Sequence, residues 1–486
     1  MTNMNENVII GDFFHLKNDQ TKLKVCLYKT FIEISDKKFS LNDFIGFYIE
    51  ESYLSNDPTV TLALSFYPKL ENNKRRRVSY ELQFKKFKTK SQNLSFVSKF
   101  KDAFDRVTKS DNSKPFLVFL NPNSGSGKAI KLFFNQIVPM WKEMNIKFKV
   151  IDTLYANHAK ELIKQIDLEK YRGIIVISGD GLVYEIFNGL LSRSDWQKSK
   201  AIPVGQIAAG SANGFSSSIA RLCGECFQFD KIENFASVMS FVFAKSKPIQ
   251  MDLVSVQLEN RIFINSFLNI EWAMVADVDY ESEQFRFLGG SRFVIGALRR
   301  VINLRRYKGR VSFMPADDYI NYCPKDPNVN ILKNTNNYSD KFLERQRLKN
   351  TELNFEYKYL KPLEEKVPND WLTIEDDFVL FCAVNLPLMG TDLIISPDTK
   401  LDDGCMMLTY VRAGVPRLRV LQLFDDAAKG KFLENPYIEF VKVKAFRLEP
   451  LDDHKQGNIM IDGEKVHYGS LQAEVLPQFV RALANP

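Results

Sequence analysis

An α/β unit flanked by two β-rich units is the fold class that this 486-residue sequence predicts, α/β plus all-β. Three observations lead there. Before residue 110 the strand-like runs LKVCLYKTFIEI, TVTLALSFY and VSYELQF are separated by the turn-like breaks SDKK and ENNK. After Phe116 the rhythm becomes strand, turn, helix, strand, helix, strand, an order that predicts a mostly parallel sheet with helices on both faces. From about residue 250 strand patterns return in MDLVSVQL, RIFINSFLNI, DFVLFCAVNL and GCMMLTYVRA.

The first unit ends in a helical pattern, with Leu94, Val97, Phe100, Phe104 and Val107 at three- and four-residue steps. Its basic turn, Lys74 to Arg77, can meet phospholipid headgroups or serve as a solvated hairpin tip. The polar stretch TKSDNSK separates it from the α/β unit. There PFLVFL precedes a Gly-rich turn and a helix through KAIKLFFNQIVPMW. FKVIDTLY, a helix near HAKELIKQI and the strand GIIVIS follow. The predicted boundaries are 1–110, 114–247 and 248–486. Residues 325–368 are rich in Asn, Lys and Glu with little periodicity, which predicts an inserted, partly disordered loop.

Composition narrows the class of protein. Apolar residues make up 45%, enough for packed cores, and the net charge of +7 is too modest to mark a nucleic-acid binder. It suits an anionic substrate or an anionic membrane surface. No apolar run approaches the roughly 20 residues of a membrane span, and MTNMNENVII carries no secretory pattern. Six scattered cysteines fit a reduced, cytoplasmic protein, and Cys223 and Cys226 form a lone C-x-x-C without a second pair.

Three Gly-containing turns carry the chemistry of the α/β unit. LNPNSGSGKA, from Leu120 to Ala129, follows a buried strand and opens a helix, where backbone N–H groups favour phosphate. It is not a Walker loop, because Pro122 stands at the first glycine position and Ala129 at the Ser/Thr position. ISGDGLVYEIFNGL places Asp180 between Gly179 and Gly181 at the carboxyl end of a strand, where open α/β sheets bind ligands. A carboxylate there can accept a hydroxyl proton or help hold Mg²⁺, or it can be a turn or N-cap residue. AAGSANGFSSSI offers Ser211 and Asn213 as donors. Three such turns on successive strands of one sheet read together as a nucleotide cleft.

Two further segments stand out. EWAMVADVDYESEQFRFLGGSRF packs Asp277, Asp279, Glu281 and Glu283 beside Arg286 and Arg292. This suits a site handling a cation and phosphates, or a charged helix face with paired side chains. In MIDGEKVHYG, Asp462 and Glu464 flank Gly463, alone a hairpin turn.

With these residues in place the chain resembles the sphingosine kinases, a branch of the diacylglycerol-kinase-like lipid kinases. SGDGLVYEIFNGLL, ADVDYESEQFRFLG, YVRAGVPRLRVLQLF and IDGE at 461–464 carry the resemblance, from about Phe116 to Ala482 outside 325–368. The N-terminal unit resembles a pleckstrin-homology-like extension. The resemblance implies a two-domain lipid kinase, with a nucleotide-binding domain and a β-sandwich-like lipid-binding domain, that phosphorylates the primary hydroxyl of sphingoid bases. It implies Asp180 as general base and Asp279 as partner of the sphingoid ammonium. Asn121, Asn123, Lys128, Thr153, Ser178, Gly179, Glu185, Gly210, Ser211, Asn213, Arg286, Arg292, Asp462 and Glu464 would surround ATP, with Mg²⁺ held through its phosphates. Asn269, Val275, Val278, Phe293, Met389, Leu393, Leu423 and Phe424 would meet the lipid. The family often carries basic residues where this chain has the neutral Asn123, Ser126 and Ala156, which bears on how tightly phosphates are held. A substrate drawn from a bilayer implies transient, peripheral membrane contact.

Three other readings compete. A ceramide or diacylglycerol kinase would act on a lipid without a free ammonium. A non-catalytic membrane-recruited scaffold would have no need of Lys128, Asp180 and Asp279 together. An NAD kinase shares a G-D-G turn but leaves the Asp279 block unexplained.

Overall fold

Alternating apolar residues fold the N-terminal unit into one seven-stranded antiparallel sheet. Its strands run in the order Lys37–Ser40, Phe31–Ile34, Lys22–Leu27, Ile10–Leu16, Val78–Phe84, Val60–Phe66 and Phe44–Glu51. The helix Lys90–Thr108 drops Val97, Phe100 and Phe104, all fully buried, onto the core of Phe14, Phe66 and Phe84. The computed structural model describes residues 8–486 except 19, 53, 55, 72, 109–112, 230, 289–290, 328, 334–347, 351–354 and 453–456. Most of the polar break after the helix therefore lies outside the described residues.

The basic turn of this unit is an interdomain bolt, not a hairpin tip in solvent. Arg75 is buried and grips Glu225 of the α/β unit with two bonds, Nε to Oε2 at 3.0 Å and Nη2 to Oε1 at 2.7 Å. Its Nη1 reaches Asp43 at 2.7 Å, and the guanidinium lies over the Phe241 ring at 4.5 Å. Arg77 pairs with Glu143, and Lys69 with Glu225. In the opposite direction, Lys245 donates to the carbonyls of Leu41 and Asn42, and burial draws its ammonium pKa down to about 8.

In the α/β unit the parallel strands stand in the order Phe148–Asp152, Phe116–Leu120, Gly173–Ser178 and Val204–Ala208. The last three of these strands are buried at every residue, as expected for a sheet covered on both faces. The final strand, Leu471–Ala484, joins this sheet to the β-rich unit. It pairs parallel at Val204↔Ala482 and antiparallel with Lys247–Leu258 and Glu439–Pro450. A single 15-stranded sheet thus runs through both lobes.

The segment 325–368 is more ordered than its composition predicts. Ile331–Lys333 pairs with the strand Leu372–Val384, and Tyr357 and Leu360 are buried beside Trp371. Glu474 accepts the backbone N–H groups of Lys358, Tyr359 and Leu360, while Arg447 donates to the carbonyls of Pro362, Leu363 and Glu365. Buried charges on the neighbouring sheet thus satisfy backbone groups that an irregular segment would leave unpaired. The rest of the expected loop, 334–347 and 351–354, lies outside the described residues.

Among the described residues no helix is long and apolar enough to cross a membrane. Cys223 and Cys226 are free thiols, and burial pushes Cys223 up to about 11, the opposite of what a reactive thiolate needs.

Candidate active site

A cleft of about 690 Å³ separates the α/β lobe from the β lobe. The three Gly-containing turns form one wall because their strands are adjacent and parallel, so their carboxyl ends lie side by side. The turns touch through missing side chains. A Cβ on Gly210 would come within 2.4 Å of the Gly179 Cα, and one on Gly125 within 2.5 Å of the Ala209 carbonyl. Gly125 has φ +60°, whereas Gly179, Gly181 and Gly210 all lie outside the left-handed region. The glycines around Asp180 therefore serve close approach, not unusual dihedral angles. Gly210→Ala is expected to push the turns apart and weaken ATP binding at least about tenfold, measured by nucleotide titration. Unchanged affinity would show that the turns do not shape the nucleotide side.

Asp180 opens the helix Asp180–Leu191 and is 8% exposed. Its Oδ2 accepts the Gly214 N–H at 2.9 Å and its Oδ1 the Phe215 N–H at 3.1 Å, at the start of the helix Gly214–Leu222. Burial raises its proton affinity, and these backbone donors offset part of that. Each oxygen keeps lone-pair capacity for a further donor. Asp180 thus caps a helix 34 residues away while lining the cleft.

Two other acids have similar double duty. Glu185 accepts from the N–H groups of Asn157 (2.9 Å) and Ala159 (3.1 Å), fixing the turn that carries Thr153 to Ala156 along the cleft. Asp462, with φ +51°, accepts from the Ser266 hydroxyl and the N–H groups of Phe267, Leu268 and Asn269. Burial pushes its pKa up to about 6 against those bonds. Both line the cleft, and both hold its loops.

Helical periodicity sorts the acidic block. The strand Asn269–Ala273 turns into the helix Met274–Ser282 at Ala273, with φ +63°. Four-residue spacing puts Asp279 and Glu283 on the cleft side, where Arg292 binds Asp279 at 3.1 Å and also pairs with Glu283. Asp277 and Glu281 face the other way. Asp277 is fully buried against Tyr307, Asn458, Arg300 and Arg305, and Glu281 pairs with Arg300. Those two hold the helix in place.

Seventeen of the sequence-derived positions line the cleft. On the nucleotide side are Asn121, Asn123, Thr153, Ser178, Gly179, Asp180, Glu185, Gly210 and Ser211. Across from them are Asn269, Asp279, Arg292, Phe293, Met389, Leu393, Asp462 and Glu464. Lys128 is exposed on the helix Ser124–Leu132, outside the lining. Asn213 stands behind the wall, its amide exchanging two 2.9 Å bonds with Gly210. The Arg286 side chain lies outside what the structure describes. Val275, Val278, Leu423 and Phe424 join Phe293, Met389 and Leu393 in one apolar cluster that continues from the cleft. Glu271 also lines the cleft, unmarked in the sequence-derived set. Its signal was available: an acid inside NIEWA, a strand buried at all five residues.

The donor set fits a nucleotide. The wall is cut away where a Cβ would stand, hydroxyls of Ser124, Ser178 and Ser211 are at hand, and the buried Nε of Arg292 lacks a protein partner. Among the described residues no group of three His, Cys, Asp or Glu side chains is placed to hold a metal ion.

Comparison with known proteins agrees with this division of labour. The diacylglycerol kinase catalytic domain model matches residues 115–253. The YegS C-terminal NAD kinase beta sandwich-like domain model matches residues 339–484. Human sphingosine kinase 1 is 33% identical over 366 residues, covering 75% of this chain and 89% of that protein. Arabidopsis thaliana sphingosine kinase 1 is 34% identical over 361 residues, covering 73% of this chain and 69% of its own. Human sphingosine kinase 2 is 27% identical over 469 residues, covering 76% and 71% respectively.

Proposed function

Since the chain belongs to the sphingosine kinase family of lipid kinases, we propose that its interlobe cleft transfers the terminal phosphate of ATP to the primary hydroxyl of a sphingoid base, yielding sphingosine 1-phosphate and ADP from sphingosine. The observation that carries this reading is one of juxtaposition. Asp180 and the Asp279–Arg292 pair line the same cleft, and that cleft leads into the apolar cluster around Met389 and Leu393.

Phosphoryl transfer asks a protein for alignment and charge neutralisation. ATP would supply the phosphoryl group, and Mg²⁺ bound with it would help neutralise the charge that develops on its phosphates. Asp180 is the general base. Two backbone N–H groups fix its carboxylate, and burial raises its appetite for the hydroxyl proton. Arg292, whose buried Nε has no protein partner, neutralises charge on the phosphates. Asn121, Asn123, Thr153, Ser178, Gly179, Gly210 and Ser211 form the nucleotide wall, with Asn213 shaping its turn. Glu185, Asp462 and Glu464 act from its edges. Asp279 pairs with the sphingoid ammonium, an attraction that ceramide and diacylglycerol do not offer. The alkyl tail follows Val275, Val278, Phe293, Leu423 and Phe424, at roughly 0.8 kcal/mol per buried CH₂.

Asp279→Asn is expected to raise the Michaelis constant for sphingosine by about 10- to 100-fold, the worth of a charge-assisted hydrogen bond, and to leave that for ATP within about twofold. Equal changes for both substrates would make Asp279 a structural residue.

The enzyme is proposed to be cytoplasmic and to touch membranes only peripherally. The helix Ser291–Ile302 supports the peripheral membrane contact. It presents Val294 (61% exposed), Leu298 and Ile302 (68%) to solvent beside the exposed Arg299, next to the apolar cluster. The N-terminal seven-stranded sheet with its closing helix is proposed to be a pleckstrin-homology-like domain spanning 1–110. The catalytic and lipid-binding domains would then be 114–247 and 248–486. Arg75, bound to Glu225 and Asp43, is spent on docking this domain and is not its lipid contact.

A further inference from the structure

Glu271 is an acidic residue in a strand that is buried at all five positions. It sits mid-strand in Asn269–Ala273, opposite Cys382 on one side and Met460 on the other. The side chain is 4% exposed, and what remains visible faces the cleft. Asn269 Nδ2 donates to its Oε1 at 2.5 Å, while its Oε2 has no hydrogen-bond partner. A buried carboxyl oxygen without a protein partner is costly, and at the edge of a ligand cleft a hydroxyl of the ligand can satisfy it.

Its place along the substrate path defines which ligand atom it meets. On the polar side Glu271 lies within electrostatic reach of Asp279 and Arg292. On the apolar side, the thiol of Cys382, its register partner, meets the Met389 sulfur at 3.6 Å, at the start of the tail cluster. Glu271 thus stands between the ammonium site and the alkyl site. Burial first, and the Asp279 charge second, push its carboxyl well above the usual range.

We propose that Glu271 is a specificity-determining residue whose unpaired oxygen binds a hydroxyl between the amino alcohol and the tail, making 4-hydroxylated sphingoid bases the preferred substrates. This rests on the sphingoid-base reading of the cleft. With the ammonium at Asp279, the C3 hydroxyl on the neighbouring carbon would stay with the Asp279–Arg292 pair, and a hydroxyl on C4, the next carbon toward the tail, would be the group offered to Glu271.

The test compares 4-hydroxysphinganine with sphinganine, which lacks only that hydroxyl. The full-length wild-type protein is expected to favour 4-hydroxysphinganine about tenfold in kcat/KM. Glu271→Ala is expected to bring that ratio to about one, mainly through KM for the hydroxylated base. Glu271→Gln, which keeps a hydrogen-bonding group of the same shape at the same place, is expected to retain the preference within about threefold. Both lipids are measured on one preparation, so a variant that folds poorly lowers both rates and leaves the ratio intact. A wild-type ratio near one, an Ala variant with the wild-type ratio, or a Gln variant as indifferent as the Ala variant overturns the proposal. Turnover of neither sphingoid base by the wild type would instead overturn the kinase reading beneath it.

Discussion

Asp180→Asn is expected to cut turnover by roughly 10²–10⁴-fold while ATP still binds, the span that a positioned general base contributes. The amide has the shape of the carboxylate but cannot take a proton. It also turns an N–H toward either Gly214 or Phe215, so one of the two bonds now holding the helix Gly214–Leu222 is lost. A modest fall in melting temperature should accompany the loss of rate. Asp180→Ala should cost more stability, about 0.5–2 kcal/mol, since the helix then loses its side-chain cap altogether. Turnover and nucleotide titration on the same preparations separate the two effects. Near-normal turnover in the asparagine variant would remove Asp180 from catalysis and leave it a cap.

The second large effect is expected far from the cleft. Arg75→Ala leaves Glu225, whose side chain is 4% exposed, without its bidentate partner. Breaking a buried ion pair from one side typically costs about 3–5 kcal/mol. Lys69 at 3.2 Å from Glu225 places this case toward the lower end of that range. Thermal unfolding should show the loss, and limited proteolysis should cut between the N-terminal sheet and the α/β unit. The Arg75→Ala/Glu225→Ala pair should lose less than the sum of its single variants, because the Arg75–Glu225 interaction is counted in both singles but lost only once. Unchanged unfolding in Arg75→Ala would mean that the two units are held by their apolar contacts alone.

How much of this was legible depends on how local each signal is. The strands Val60–Phe66 and Val78–Phe84, the helix Lys90–Thr108 and the alternating α/β order follow from periodicity within a few residues, and the structure contains each of them. So does the two-sided acidic helix, once Asp277, Asp279, Glu281 and Glu283 are placed at four-residue steps. What was hidden is non-local. The Lys74–Arg77 turn reads as a surface feature because Arg75's partner lies 150 residues away. The cap made by Asp180 joins two turns whose adjacency depends on strand order, not on spacing. Tyr357 and Leu360 sit in a polar, irregular stretch, and Glu474 and Arg447 on distant strands help that stretch pack. Glycines 179, 181 and 210 were legible as small, but whether they serve dihedral freedom or contact needs the neighbouring turn.

The most direct measurement offers the full-length protein ATP with sphingosine, ceramide and diacylglycerol in parallel and follows phosphate transfer to each. Phosphorylation of sphingosine far ahead of the other two is expected, because only sphingosine brings a cation to Asp279. Equal or greater phosphorylation of ceramide or diacylglycerol, or transfer to none of the three, would contradict the account.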